Sequence, residues 1–145
     1  MLDEVGIARR SPYALALLRI VSGLIFLEHG TQKFLGFPAG ESAGSGWALN
    51  NPGAFAGIVE LSTGLLIAIG LFTRSAAFVA SGTMAVAYWL AHAPQSFFPV
   101  NNGGDAAILY CFVFLYLVFA GPGVWSFDEV RGRRRSQNAV ERTGS

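Results

Sequence analysis

Charge is scarce in this chain. Of its 145 residues, 13% are Asp, Glu, Lys or Arg, about half the share of an average soluble domain. Cysteine is scarcer still. Cys111 stands alone, which excludes an internal disulfide and a Cys-x-x-Cys redox pair. Two histidines leave little material for a metal or haem centre. A net charge of +1 lacks the basic footprint that nucleic-acid binding requires, so no nucleic-acid partner is expected. What abounds is apolar: hydrophobic residues make up 52% of the chain, and most charges fall before residue 13 or after residue 127. A short chain with a long apolar middle reads as one integral membrane domain.

Four segments approach the roughly 20 apolar residues that a membrane-crossing helix needs. The first runs from Pro12 to Leu35, with Ser11 placed to cap it and Pro12 suited to the first helical position. Arg9 and Arg10 precede it as in a signal peptide. Arg19 interrupts the apolar run, however, and no small-x-small cleavage site follows, so the helix is read as retained. The second runs from Pro52 to Phe72, opened by Asn51-Pro52. The third spans Arg74 to Ala93, capped by Thr73 and stopped by Pro94. The fourth spans Asp105 to Ala120, with Asp105 as its cap and Gly121-Pro122-Gly123 as its end. The turn between the second and third is tight, so they form an antiparallel hairpin. The loops 37–51 and 94–104 fall together on the opposite side. Glycines 23, 30, 57, 64, 70 and 82 suit close packing of helices in lipid.

Basic residues set the orientation. Arg9, Arg10, Arg74, Arg131, Arg133, Arg134, Arg135 and Arg142 fall on one side, which places both termini in the cytoplasm. Tyr13 and Trp125 then lie at the inner interface, with Tyr88 and Trp89 near the outer one. The expected architecture is an all-α, four-helix transmembrane bundle over residues 1–128, followed by a basic, disordered tail over 129–145.

Ionisable groups inside such a bundle cost about 2.5–3.5 kcal/mol each, so those present call for a reason. At 1.5 Å per residue, Arg19 lies about 10 Å inside one edge of the first helix and His29 about 9 Å inside the other. Lys33 is on the Arg19 face, and Glu28 points the other way. Glu60 on the second helix is level with His29. His92, Asn102 and Asp105 begin or end elements on the same side. Each has a plain reading: Lys33 snorkels, Asp105 caps a helix, and His92 is interfacial. Glu60 still needs a cation, a donor or a proton, with Lys33 and His29 as candidates. Arg19 has no deep acidic partner. Snorkelling, bonds to helix carbonyls and an acidic ligand are its open alternatives. His29 and His92 differ by about 9 Å in depth, which sets haem aside, and no metal site is expected.

These residues resemble a known family. Arg19-x3-Gly23-x2-Phe26-x2-His29-Gly30-x2-Lys33-x2-Gly36 is similar to the first-helix signature of DoxX family membrane proteins. Glu60, Gly64 and Gly70-Leu71-x-Thr73-Arg74 resemble the second-helix pattern. Asn102-Gly103-Gly104-Asp105 resembles the Asn-Gly-Gly-acid motif, with Asp105 where the family usually has Glu. Gly121-Pro122-Gly123-x-Trp125-Ser126-x-Asp128 resembles the family ending. The resemblance implies a multi-pass protein of the bacterial inner membrane. It also implies a membrane subunit or partner of a redox enzyme, and quinone as a candidate cofactor.

The residues expected to carry such a role are Glu60, Asp105 and His29 for proton transfer. Arg19, His29, Lys33, Glu60 and Asn102 are the candidates for ligand binding. The competing expectations are a non-catalytic scaffold that recruits a soluble enzyme and a small-solute transporter. The bilayer is the expected surrounding, and homo-oligomers are compatible with the pattern.

Overall fold

A computed structural model describes residues 4–48, 50 and 52–143. The described residues form helices and loops without strands. In chain order the helices are α1 (Glu4–Leu35), α2 (Pro52–Ile69), α3 (Thr73–Ala87), α4 (Pro99–Asn102), α5 (Asp105–Ala120) and α6 (Phe127–Thr143). A short 3-10 turn, Ser45–Trp47, precedes α2, and a π-helical turn, Tyr88–His92, extends α3. Two helical stretches, Gly6–Leu35 and Pro52–Ile69, are long and apolar enough to cross a membrane.

α1 packs along α2, α2 along α3, and α3 along α5. The α1–α2 contact is backbone against backbone. A Cβ on Gly23 would stand 2.7 Å from the Ala68 nitrogen, and one on Gly64 would stand 2.8 Å from the Leu27 nitrogen. Only glycine permits that approach, the usual device for helix association in lipid. Gly82 plays no such part, because a Cβ there would meet nothing within 4 Å.

The bundle buries an apolar core around Phe26, Ile67, Phe114 and Leu117 together with polar groups. Its interior holds Arg19, Ser22, Glu60, Thr63 and Ser81 beside small residues such as Ala16, Ala77 and Ala80. Its exterior presents Phe78, Phe112 and Phe119, the last 75% exposed. A soluble monomer rarely spreads large apolar side chains so widely over its surface. A lipid surround favours them there.

Several boundaries differ from the sequence reading. α1 begins at Glu4 and carries Pro12 inside it; the fixed φ of proline is helical, so the helix continues past it with one hydrogen bond missing. α2 ends at Ile69 rather than Phe72, because Gly70 turns the chain at φ 70°. Thr73 is not the cap of α3 but its first residue, and Phe72 precedes it with φ 50°. α5 matches the expected fourth helix, but Gly104 occupies its cap position and Asp105 is the first helical residue. The region expected to be a disordered tail is helical as α6. Glu129 and Arg133 pair there at 2.6 Å, one turn apart, and acids Asp128 and Glu129 occupy the first turn, where the helix dipole favours them. Asn51 and the tail residues 144–145 lie outside the described residues.

Candidate functional site

Two deep polar centres sit at opposite ends of the bundle. One is built around Arg19. Its guanidinium is fully buried, and its five N–H groups all find backbone carbonyls. Nε donates to Pro122 at 2.7 Å, and Nη1 donates to Ile67 at 2.8 Å and Ala68 at 2.7 Å. Nη2 donates to Trp125 at 2.9 Å and Val124 at 3.3 Å. Ile67 and Ala68 belong to the last turn of α2, whose carbonyls lack helical partners. Residues 122–125 are irregular backbone, whose carbonyls have no regular helical partners and need other donors where they are buried. Arg19 therefore does for these segments what solvent does elsewhere. Guanidinium has five donors, and none remains for a ligand. Of the alternatives open for Arg19, the structure shows bonds to backbone carbonyls, so the side chain acts here as a clamp.

Asp128 completes that end. Its carboxylate accepts from the backbone N–H of Phe72 at 2.9 Å and of Thr73 at 2.8 Å. It caps α3 from a distant part of the chain, while its own N–H donates to the Gly70 carbonyl at 2.9 Å. Burial pushes the Asp128 carboxyl up. The N–H groups of Thr73 and Phe72 and the charge of Arg131 outweigh that and hold it below the ordinary aspartate value. Phe72 and Trp125 both take positive φ here, 50° and 56°, each costing about 1–2 kcal/mol for a residue with a Cβ. The hydrogen bonds of Asp128 and Arg19 hold these two residues in place.

The other centre is the Lys33–Glu60 pair. Lys33 Nζ donates to Glu60 Oε1 at 2.7 Å and Oε2 at 2.8 Å. Glu60 is 5% exposed. Antiparallel packing of α1 on α2 brings the two together, and Gly57 makes room, because a Cβ there would stand 3.1 Å from Lys33 Cδ. The cation that Glu60 needs is thus Lys33 rather than His29. Lys33 has three donors, of which the carboxylate uses two.

Tyr110 on α5 packs against the face of α1 that carries Phe26 and His29. His29 packs edge-on against the Tyr110 ring, with centroids 6.1 Å apart, and its own side chain is exposed on the outer surface of the bundle. Phe26 and Phe114 close the Tyr110 ring from below, at 5.3 and 5.5 Å. One turn before Lys33 on α1, His29 thus meets Tyr110 over an apolar floor.

Asn102, His92 and Asp105 form a separate loop staple. Asn102 is buried. Its amide donates to the Ser96 carbonyl at 2.8 Å, its Oδ1 accepts from Gly104 N–H at 2.8 Å, and its carbonyl lies 3.0 Å from His92 Nδ1. These bonds fix the turn leading into α5. Asp105 is exposed, and among the described residues no hydrogen bond or ion pair joins it to Glu60. Asn102 and Asp105 are thus not drawn into the Lys33–Glu60 centre. Among the described residues no group of three His, Cys, Asp or Glu side chains is placed to hold a metal ion.

Two residues escaped the sequence reading. Tyr110 carried a weak signal, a hydroxyl in the apolar run ILYCFVF. Asp128 carried none for its capping role, since its partners lie more than 50 positions away.

A family model described as DoxX matches residues 14–93. An uncharacterized protein of Haemophilus influenzae is 46% identical over 121 residues, covering 81% of this chain and 90% of that one. An uncharacterized membrane protein of Mycobacterium tuberculosis is 32% identical over 146 residues, covering 89% of this chain and 85% of that one. No solved structure matches. The family match spans more than half of the chain, and it meets a fold that spreads large apolar side chains over its surface while burying Arg19 and Glu60: this is a membrane protein belonging to the DoxX family.

Proposed function

We propose that the chain is a multi-pass protein of the bacterial inner membrane that serves as the membrane subunit of a quinone-linked redox system. In this reading α1, α2, α3 with its π turn, and α5 are four spans. Both termini and the α2–α3 turn face the cytoplasm, as the basic residues favour. The observation that carries the proposal is the buried Lys33–Glu60 pair with unspent donors around it. A buried ion pair is weak evidence for stability, so its presence in an apolar bundle favours a use.

The residues fit a quinone head group. Its carbonyls need N–H or O–H donors, and the third Lys33 proton, the Tyr110 hydroxyl and a ring nitrogen of His29 are at hand. His29 is exposed on the bundle surface, where an isoprenoid tail meets lipid. A quinone supplies two-electron redox chemistry when bound. The chain's own part is to orient the head group and to hold or release a proton at a Glu60 carboxylate oxygen. Electrons would come from a soluble partner enzyme.

Titrating purified protein in detergent with a short-chain ubiquinone tests this. Binding is expected in the wild type and weakens at least about tenfold, the worth of one lost charge-assisted hydrogen bond, in Glu60→Gln and Tyr110→Phe. A wild type that binds no quinone would overturn the reading. A second reading, a non-catalytic scaffold, is favoured by one observation: Arg19, Asn102 and Asp128 all serve the backbone rather than a ligand. It predicts that Lys33→Ala harms only folding or recruitment of a co-purifying soluble enzyme, whereas the redox reading predicts retained association with lost turnover.

A further inference from the structure

At the Arg19 end, an open groove of about 710 Å³ runs between α6 and the rim of the bundle. Its walls are of two kinds. Tyr13 of α1 and Trp125 form an aromatic side, their rings edge-on at 5.4 Å. Glu129, Arg133, Arg134 and Gln137 of α6 form a polar side with a net positive charge. Ile69, the last residue of α2, also lines it, so the groove lies where an apolar helix ends. Tyr13 and Trp125 are 48% and 60% exposed, and amphipathic rings of this kind favour the headgroup level of a bilayer.

The position of α6 is fixed rather than adventitious. Asp128 ties its first turn to Phe72 and Thr73, and Ser126 Oγ accepts from Glu129 N–H at 3.2 Å. Arg131 stacks over the Phe72 ring at 5.0 Å. Within the described part of α6, the arginines outnumber the acids, and both acids near the groove are already engaged. Asp128 binds backbone N–H groups, and Glu129 pairs with Arg133. Among the described residues Arg134 and Arg135 have no carboxylate partner.

We infer that this groove is a binding site for the headgroup of an anionic phospholipid. The phosphate is held by Arg134 and by the Arg133 donors that Glu129 leaves free, and its glycerol region lies against Tyr13 and Trp125. The charge is complementary, the aromatic wall matches the interfacial zone, and the groove opens at the level where lipid headgroups pack. A lipid phosphate meets two planar guanidinium donors, and its acyl chains continue along the exposed apolar surface of the bundle. The inference goes beyond the quinone reading and stands or falls separately from it, because it involves the opposite end of the molecule.

The test is native mass spectrometry of the purified full-length protein in detergent, titrated with phosphatidylglycerol, phosphatidylcholine or inorganic phosphate. The expected result is tight binding of phosphatidylglycerol and weak binding of the other two. Each basic side chain near a lipid surface contributes about fivefold in affinity, so Arg133→Gln/Arg134→Gln should lose roughly thirtyfold for phosphatidylglycerol alone. The matched variant Arg131→Gln/Arg135→Gln removes equal charge from the other face of α6, which lines a separate hollow with Phe72 and Asp128. It should lose less than about fivefold. Equal losses in both variants would show diffuse charge rather than a groove and overturn the inference. So would equal affinity for phosphatidylcholine, or equal binding of free phosphate. Circular dichroism of each variant confirms the helical fold.

Discussion

The two deep polar centres differ in what their partners are. At one end Arg19 meets only backbone carbonyls and has no donor left. At the other, Lys33 meets a single carboxylate and retains a proton to give. A side chain that satisfies backbone is bound to the architecture, because the backbone cannot be mutated away. A side chain that satisfies another side chain is one half of a removable pair. This contrast separates structure from candidate function more sharply than burial or charge does, since Arg19 and Glu60 are both buried and both ionisable.

The comparison is broken most severely at Arg19. Arg19→Met leaves four carbonyls without the donor Arg19 supplies, Ile67 keeping the Gly70 N–H, and at about 1–3 kcal/mol for each buried unsatisfied group the folded protein is expected to be lost. Arg19→Lys keeps three donors at most and should accumulate at intermediate levels. Detergent-solubilised yield and thermal unfolding read both. A full-yield Arg19→Met protein would show that the clamp is dispensable.

Next comes Glu60. Glu60→Leu strands a buried ammonium and is expected to cost about 3–5 kcal/mol. The double change Lys33→Met/Glu60→Leu removes both charges and should return to within about 1 kcal/mol of wild type, or exceed it, while losing quinone binding. No second substitution can rescue Arg19→Met in this way. Denaturant titrations of the three variants measure the difference. A double variant as unstable as the single would erase the distinction between the two ends.

The α1–α2 contact lies between the centres and should respond with a smaller effect. Gly23→Leu drives a side chain into the backbone at Ala68 and is expected to cost about 1–3 kcal/mol. It should also weaken the Lys33–Glu60 pair by separating the helices. Gly82→Ala, in open space, should leave stability unchanged or raise it slightly, since alanine is the better helix former.

The smallest loss is at Asp128. Asp128→Ala removes the cap of α3 and should cost about 1 kcal/mol. The carboxyl is held below its ordinary value in the folded state. Its contribution is therefore complete above the unfolded aspartate value, about 3.9, and is lost as pH falls through the lower, folded one. α6 should resist limited proteolysis at neutral and mildly acidic pH and become cleavable only in strong acid. Asp128→Ala should be cleavable throughout. Resistance lost between pH 7 and 5 would contradict this assignment.

Much of this was legible along the chain. Apolar runs and turn signals located α2, α3 and α5, because periodic hydrophobicity and Gly-Pro breaks are local properties. The start of α1 was not, since Pro12 reads equally as a helix opener and as an interior residue with a helical φ. α6 was not, because charge density alone reads as disorder, while its attachment through Asp128 spans 55 positions. Of the site, Glu60 was legible as a deep carboxylate in need of a cation, with Lys33 and His29 as candidates, and depth alone matched it to His29. Tyr110 was not, since its place against His29 depends on how α5 sits against α1.

The sequence by itself determined that this chain is an apolar, helical membrane protein with its charges at the ends, because hydropathy and charge act at the level of each segment. It also marked Arg19 and Glu60 as deep groups in need of partners. Only the tertiary structure decided which partners they have. Glu60 receives Lys33 because Gly23 and Gly64 let α1 and α2 approach closely. Arg19 receives carbonyls from α2 and from residues 122–125 because the chain returns to it after more than a hundred residues. Such contacts depend on the whole packing, so no local pattern in the sequence encodes them.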